Sequence, residues 1–171
     1  MKVLVTAASR HGGTAEIAAA VARDLAAAGH DVEVRDPAEV TELAEVDAVV
    51  LGSAVYAGGW LPAAYDFVQR LGPELAARDV WLFSSGPPGY APWLNQEIAI
   101  DEVVRTVRPR EHRVFDGRVD KHRLTYAERA RVHALRVPIG DFRDFGAVAE
   151  WARKISAELG AAPRATTANS G

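Results

Sequence analysis

At 171 residues the chain has the length of a single domain, and a chain of this size buries roughly two-thirds of its unfolded surface without a covalent staple. Its composition is 49% hydrophobic, with a formal net charge of −3 and no cysteine, which excludes disulfides, thiolate metal sites and a cysteine nucleophile. The opening MKVLVTAA is too short for a signal peptide or a membrane span, so the expected location is the cytoplasm.

In chain order, Val3-Leu4-Val5 reads as a buried strand. Thr14 to Ala28 carries apolar residues at Ile17, Val21, Leu25 and Ala28, a helical spacing that Gly29 ends. Val32-Glu33-Val34 is a second strand, broken by Asp36-Pro37. Asp47 to Gly52 is a third, continuously apolar and therefore central. Pro62 to Leu71 is a helix with proline at its start. Val80 to Phe83 is a fourth strand, Asn95 to Val107 a helix, and His112 to Phe115 a fifth strand. Thr125-Tyr126-Ala127-Glu128 is a capping-box pattern opening a helix to about Val137. Asp144 caps a last helix through Leu159, and residues 161–171 read as a disordered tail.

Apolar strands alternating with helices mean a parallel sheet covered on both faces. A Rossmann order and a flavodoxin-like order both satisfy this pattern, and both bind ligands at the carboxyl ends of the strands. The turn after the first strand, Ser9-Arg10-His11-Gly12-Gly13-Thr14, leads into a helix N-terminus with unpaired N–H groups. Its small residues let a phosphate approach, and its hydroxyls and Arg10 add donors and charge. It lacks the lysine of a P-loop and the spacing of a dinucleotide fingerprint. The remaining pattern, Ser-x-x-Gly-x-Thr, looks like a flavodoxin phosphate loop. Gly52 to Trp60 follows the third strand, and Ser84-Ser85-Gly86-Pro87-Pro88-Gly89-Tyr90 follows the fourth. The three loops would lie side by side, the first taking a phosphate and the others clamping a flat ring, with Tyr56, Trp60 and Tyr90 as aromatic candidates.

The segments SRHGGTAEIA, VVLGSAVYAGGW, LFSSGPPG, EHRVFDGRVD and GDFRDFGAVAEWARKI extend over about residues 2–160. Together they resemble the flavodoxin-domain proteins related to menaquinone-dependent protoporphyrinogen dehydrogenase. The resemblance implies an α/β, flavodoxin-like three-layer sandwich with a five-stranded parallel sheet of order 2-1-3-4-5, over residues 1–160. It also implies FMN as cofactor. Carried over position by position, Ser9, Arg10, His11, Gly12, Gly13 and Thr14 bind the phosphate. Ser53, Ala54, Val55, Tyr56, Ala57 and Gly58 border the isoalloxazine, and Ser84, Ser85, Gly86 and Pro87 meet its pyrimidine edge. Two departures, His11 for a usual threonine and the small Ala57, imply a weaker hold on FMN.

Lys and Arg outnumber acids by four across residues 101–143, while acids outnumber bases by seven elsewhere. Much of the basic excess falls in an insert, residues 117–143, that a minimal flavodoxin lacks. Arg118, Lys121 and Arg123 are expected outside the three loops, as a contact for an anionic substrate or for lipid at the inner face of the membrane. No motif accompanies the charge that would suit nucleic acid, and the histidines lack metal-ligand spacing. The leading expectation is an FMN-dependent oxidoreductase, quinone- or protoporphyrinogen-linked, with no protein residue as catalytic acid, base or nucleophile. The alternatives are a flavodoxin-type electron carrier and a non-redox module that has lost FMN.

Overall fold

The computed structural model describes residues 1–86 and 98–161. The first strand, β1, spans Lys2–Ala8, and Val3, Leu4 and Val5 are fully buried. Consecutive residues of a strand point to opposite faces, so a run buried throughout is covered on both sides. α1 (Gly13–Ala27) follows, then β2 (Asp31–Arg35), β3 (Ala48–Tyr56) and a two-residue β4 (Gly59–Trp60). α2 (Pro62–Ala76), β5 (Asp79–Gly86), α3 (Asp101–Val107) and β6 (Glu111–Asp116) complete the layers around the sheet. The insert then contributes β7 (Arg118–Val119), α4 (Tyr126–Ala134) and β8 (Gly140–Asp141), and α5 (Phe145–Ala161) closes the fold.

The main strands lie in the order β2-β1-β3-β5-β6, all pairs parallel. With the short antiparallel β4 set aside this is the expected 2-1-3-4-5 order. Val3, Val5, Val50, Trp81 and Phe83 face α1 and α5, whereas Leu4, Val49, Leu51 and Leu82 face α2 and α3. The alternation of the central strands thus builds two cores, one on each side. Among the described residues no helix is long and apolar enough to cross a membrane.

Several boundaries differ from the sequence reading. α2 continues through Pro73 to Ala76, because Phe67, Leu71 and Leu75 keep a single buried stripe that outweighs the lost backbone donor. The expected helix from Asn95 begins only at Asp101. Residues 95–97 lie outside the described residues, and Ala99 gives its N–H to Gly58 O at 2.9 Å instead of to a helical partner. α4 stops at Ala134 rather than near Val137, since Arg136 turns into the left-handed region at φ 51°. The capping box at Thr125 is formed in both directions, and Asp144 caps α5 through the Ala147 N–H at 3.0 Å. Pro87, Tyr90 and residues 162–171 of the expected tail also lie outside the described residues, while Ala161 ends α5.

Candidate functional site: a cleft at the carboxyl edge of the sheet

β1, β3 and β5 run parallel and end together, so the loops that follow β1 and β3 lie beside the end of β5. They border a cleft of about 440 Å³, within the range of small-molecule sites. Its floor comes from the first two loops and the end of β5, and its roof from the insert.

The first loop turns at Gly12, whose φ of 82° places it in the left-handed region that favours glycine. Gly12 is the N-cap of α1, and no side chain caps the helix. Gly13 and Thr14, in the first helical turn, line the cleft with Ser9, Arg10 and His11. Uncapped N–H groups, two hydroxyls and a glycine turn fit a phosphate group. At the second loop β3 folds back on β4, with Val55 opposite Trp60 and Tyr56 opposite Gly59. Ala57 and Gly58 make the turn at φ 51° and 81°, the sign required by a two-residue hairpin of type I′. Ala54, Val55, Tyr56, Ala57 and Gly58 all face the cleft, as do Ser85 and Gly86 at the end of β5.

Three expected contacts lie beneath this floor rather than on it. Ser53 is fully buried and bridges Ala54 O and the Leu61 N–H, holding the hairpin base. Ser84 is likewise buried, accepting from Trp60 Nε1 at 2.8 Å and bonding His112 Nε2 at 2.8 Å. Trp60 is therefore a support of the floor and not a ring-stacking residue. The cause is strand alternation: side chains at these positions point into the α2–α3 layer. Burial pushes the His112 imidazole below its ordinary pKa, favouring the neutral ring at this chain of hydrogen bonds. Gly12 shapes the first turn without lining the cleft, and Pro87 lies outside the described residues.

The insert supplies the residues that sequence reasoning missed. Its ends are pinned by β7 pairing antiparallel with β8, Arg118 opposite Asp141. Between them, Leu124, Val132, Leu135 and Val137 give the roof an apolar surface. Arg118, expected outside the loops, lines the cleft and binds Glu16 Oε1 at 3.0 Å. Arg123 donates to His11 O at 2.8 Å, and its guanidinium lies 3.1 Å from where a Gly12 Cβ would stand. The expectation of a separate basic patch is corrected accordingly: two of its three cations turn toward the first loop.

Arg143, with its side chain almost wholly enclosed, joins Glu16 at 2.7 Å and Asp141 at 2.6 Å and donates to Gly13 O. Its hydrogen bond holds the Asp141 carboxyl down at about 2 and draws Glu16 below the ordinary carboxylate range. Glu128, at N3 of α4, accepts the Thr125 N–H at 2.8 Å and reaches Arg10 Nε at 2.9 Å and His11 Nε2 at 3.3 Å. The Thr125 backbone bond is the main reason its carboxyl also sits below the ordinary range. Two guanidinium groups lie over the Tyr56 ring, Arg10 at 4.8 Å and Arg131 at 5.8 Å from its centre, within cation–π range. The capping-box signal for Glu128 was legible in the sequence. Its partners more than a hundred residues away were not.

A comparison with curated proteins finds no match. Among solved structures, an archaeal flavodoxin superposes with a TM-score of 0.64 at 19% identity, covering 94% of this chain and 99% of that one. A flavodoxin of Streptococcus pneumonia TIGR4 gives 0.63 at 19% identity, covering 92% and 99%. Rubredoxin oxygen:oxidoreductase of Desulfovibrio gigas gives 0.60 at 16% identity over 94% of this chain, which spans only 36% of that protein. These likenesses establish the fold. The family model described as Flavodoxin domain matches residues 4–144, and the chain therefore belongs to the flavodoxin domain family, whose cofactor is FMN.

Proposed function

We propose that the protein is an FMN-binding electron-transfer protein of flavodoxin type. The observation that carries this reading is the cleft itself, where an uncapped helix N-terminus with Ser9 and Thr14 meets the hairpin turn and the end of β5. FMN, when bound, supplies one- and two-electron transfer. In this reading Ser9, Gly13 and Thr14 hold the phosphate on the turn that Gly12 makes, with Arg10 and His11 beside it. Ala54 through Gly58 border the ring, and Ser85 and Gly86 meet its polar edge. Ser53 and Ser84 act from below, fixing the loops that touch the ligand.

A second reading, an oxidoreductase acting on a small molecule such as a quinone or a porphyrinogen, is favoured by one feature. The apolar roof of Leu124, Val132, Leu135 and Val137 offers a second wall, against which an organic substrate can pack. The sequence resemblance to protoporphyrinogen dehydrogenase relatives supports the same reading. Contact with anionic lipid through Arg118, Lys121 and Arg123 gains less support. Arg118 is engaged with Glu16, and Arg123 with His11 O and Asp120, leaving Lys121 without an ion pair among the described residues.

The deciding experiment is a visible spectrum of the purified protein with FMN added, followed by reductive titration. A bound-flavin spectrum with reduction in two separate one-electron steps is the expected result for a carrier. Reduction in a single two-electron step, with turnover on a quinone or porphyrinogen panel, supports the enzyme. A protein that stays colourless with excess FMN rejects both and leaves the non-redox module.

A further inference from the structure

The cations of the first loop already hold an anion, and the protein provides it. Glu128 is the one acidic residue buried among the described residues, only 5% exposed. Its Oε1 takes the Arg10 Nε at 2.9 Å and the His11 Nε2 at 3.3 Å, while Oε2 closes the capping box on the Thr125 N–H. Arg10 and His11 are the two side chains of the loop able to carry positive charge. Both line the same cleft as Gly13 and Thr14. The remaining cations that reach this loop are also matched, Arg118 by Glu16, Arg143 by Glu16 and Asp141, and Arg123 by Asp120.

We propose that Glu128 is a specificity-determining residue of this site, an internal carboxylate that competes with a ligand's phosphate for Arg10 and His11. The proposal rests on the reading of residues 9–14 as the phosphate loop. Two negative groups near one pair of cations repel each other, and the repulsion is strong where water is excluded. With Glu128 in place, a phosphate is held by backbone N–H groups, Ser9 and Thr14, and obtains little from Arg10 or His11. Glu128 thus narrows the advantage that a phosphorylated ligand has over its unphosphorylated counterpart. The same carboxylate ties α4 to the loop, so the roof sits closed over the cleft by the very contact a phosphate contests.

Glu128→Gln isolates the charge, because glutamine serves at N3 of a capping box as glutamate does. The measurement is the affinity of wild type and E128Q for FMN, riboflavin and inorganic phosphate at one ionic strength, with thermal unfolding as a check of folding. E128Q is expected to bind FMN and inorganic phosphate about tenfold tighter, a gain of about 1.4 kcal/mol, with riboflavin unchanged within about twofold. The gain should be smaller when Glu128→Gln is added to Arg10→Gln than when it is made in the wild type, since only His11 then remains to be released. Unchanged or weaker binding of FMN and phosphate by E128Q overturns the proposal, as does an equal gain for riboflavin, which would mark Glu128 as a purely structural tie. A wild type that binds neither flavin, beside an E128Q that still gains phosphate affinity, rejects the FMN reading and keeps this one. If E128Q does not fold, the wild type decides: titrated inorganic phosphate should shift the Glu128 carboxyl and Arg10 Nε NMR resonances together with the loop amides. Loop amides that shift alone, or no shift at all, overturn the proposal.

Discussion

Gly52 shows how closely a single residue is bound to the core. It pairs with Phe83 across β3 and β5, and a Cβ added there would stand 2.1 Å from the Phe83 ring. That ring cannot retreat, because it packs edge-on against Phe115 at 6.2 Å and Trp151 at 6.0 Å, all three buried. Gly52→Ala is therefore expected to destabilise the fold by about 2–3 kcal/mol, at the upper end for overpacking, measured by denaturant unfolding. A loss below about 1 kcal/mol would show that the ring has room to move. Thr14 tests the other side of the sheet edge. It lines the cleft while its residue surface is nearly enclosed. A hydrogen bond to a charged group contributes about 1.5–3 kcal/mol, so Thr14→Ala should weaken FMN by roughly 10- to 150-fold and leave riboflavin nearly unaffected. Equal weakening of both ligands would assign Thr14 to the fold instead of the phosphate.

Among the elements, the insert is the one whose attachment is mostly ionic. Its contacts with the first loop and with α1 run through Glu128, Arg118, Arg123 and Arg143. Asp141 contributes through Arg143, and its folded pKa of about 2 lies below the ordinary 3.8. A carboxyl depressed in this way adds stability above its unfolded pKa and loses it as pH falls through the folded value. The insert should accordingly lose hydrogen-exchange protection between about pH 4 and 2, and Asp141→Asn should make that dependence shallower. The Asp141 side chain is 45% exposed, so its share is modest and screened. An unchanged profile in the variant would remove Asp141 from the tie. The capping box and the Asp144 cap were readable because both are local patterns. The late start of α3 was not, since Ala99 is diverted by Gly58, forty-one positions earlier.

For the molecule as a whole, a sheet buried on both faces carries a roof held by charges. Raising salt to 1 M shortens the screening length to about 3 Å, which weakens the ionic tie and not the apolar cores. Limited proteolysis by trypsin should then quicken at Lys121, Arg129 and Arg136, exposed in the insert, while global unfolding stays two-state with little loss. FMN at a hundred times its dissociation constant should raise stability by about 2.7 kcal/mol, seen as a higher melting temperature. A salt-independent cleavage rate would mean that the apolar roof, and not the ion pairs, holds the insert down.

The sequence by itself determined the layered α/β fold and the place of the first loop, because apolar periodicity, caps and glycine turns are written in neighbouring residues, whereas the strand order followed only from the family resemblance. Leu4 and Val5, Ile17 and Val21, and Thr125 with Glu128 are patterns of this kind. Only the tertiary structure decided which side chains line the cleft. Ser53, Ser84 and Trp60 were placed with the loops that contain them, yet strand alternation turns them into the core. The placement of the insert was also decided there. Its arginines look like a solvated basic patch when counted along the chain, but folding brings their acidic partners from α1 and β8, and brings Glu128 to Arg10 and His11. Charge pairing between distant segments leaves no periodic trace in a sequence, since it depends on distances that exist only after the sheet has set them.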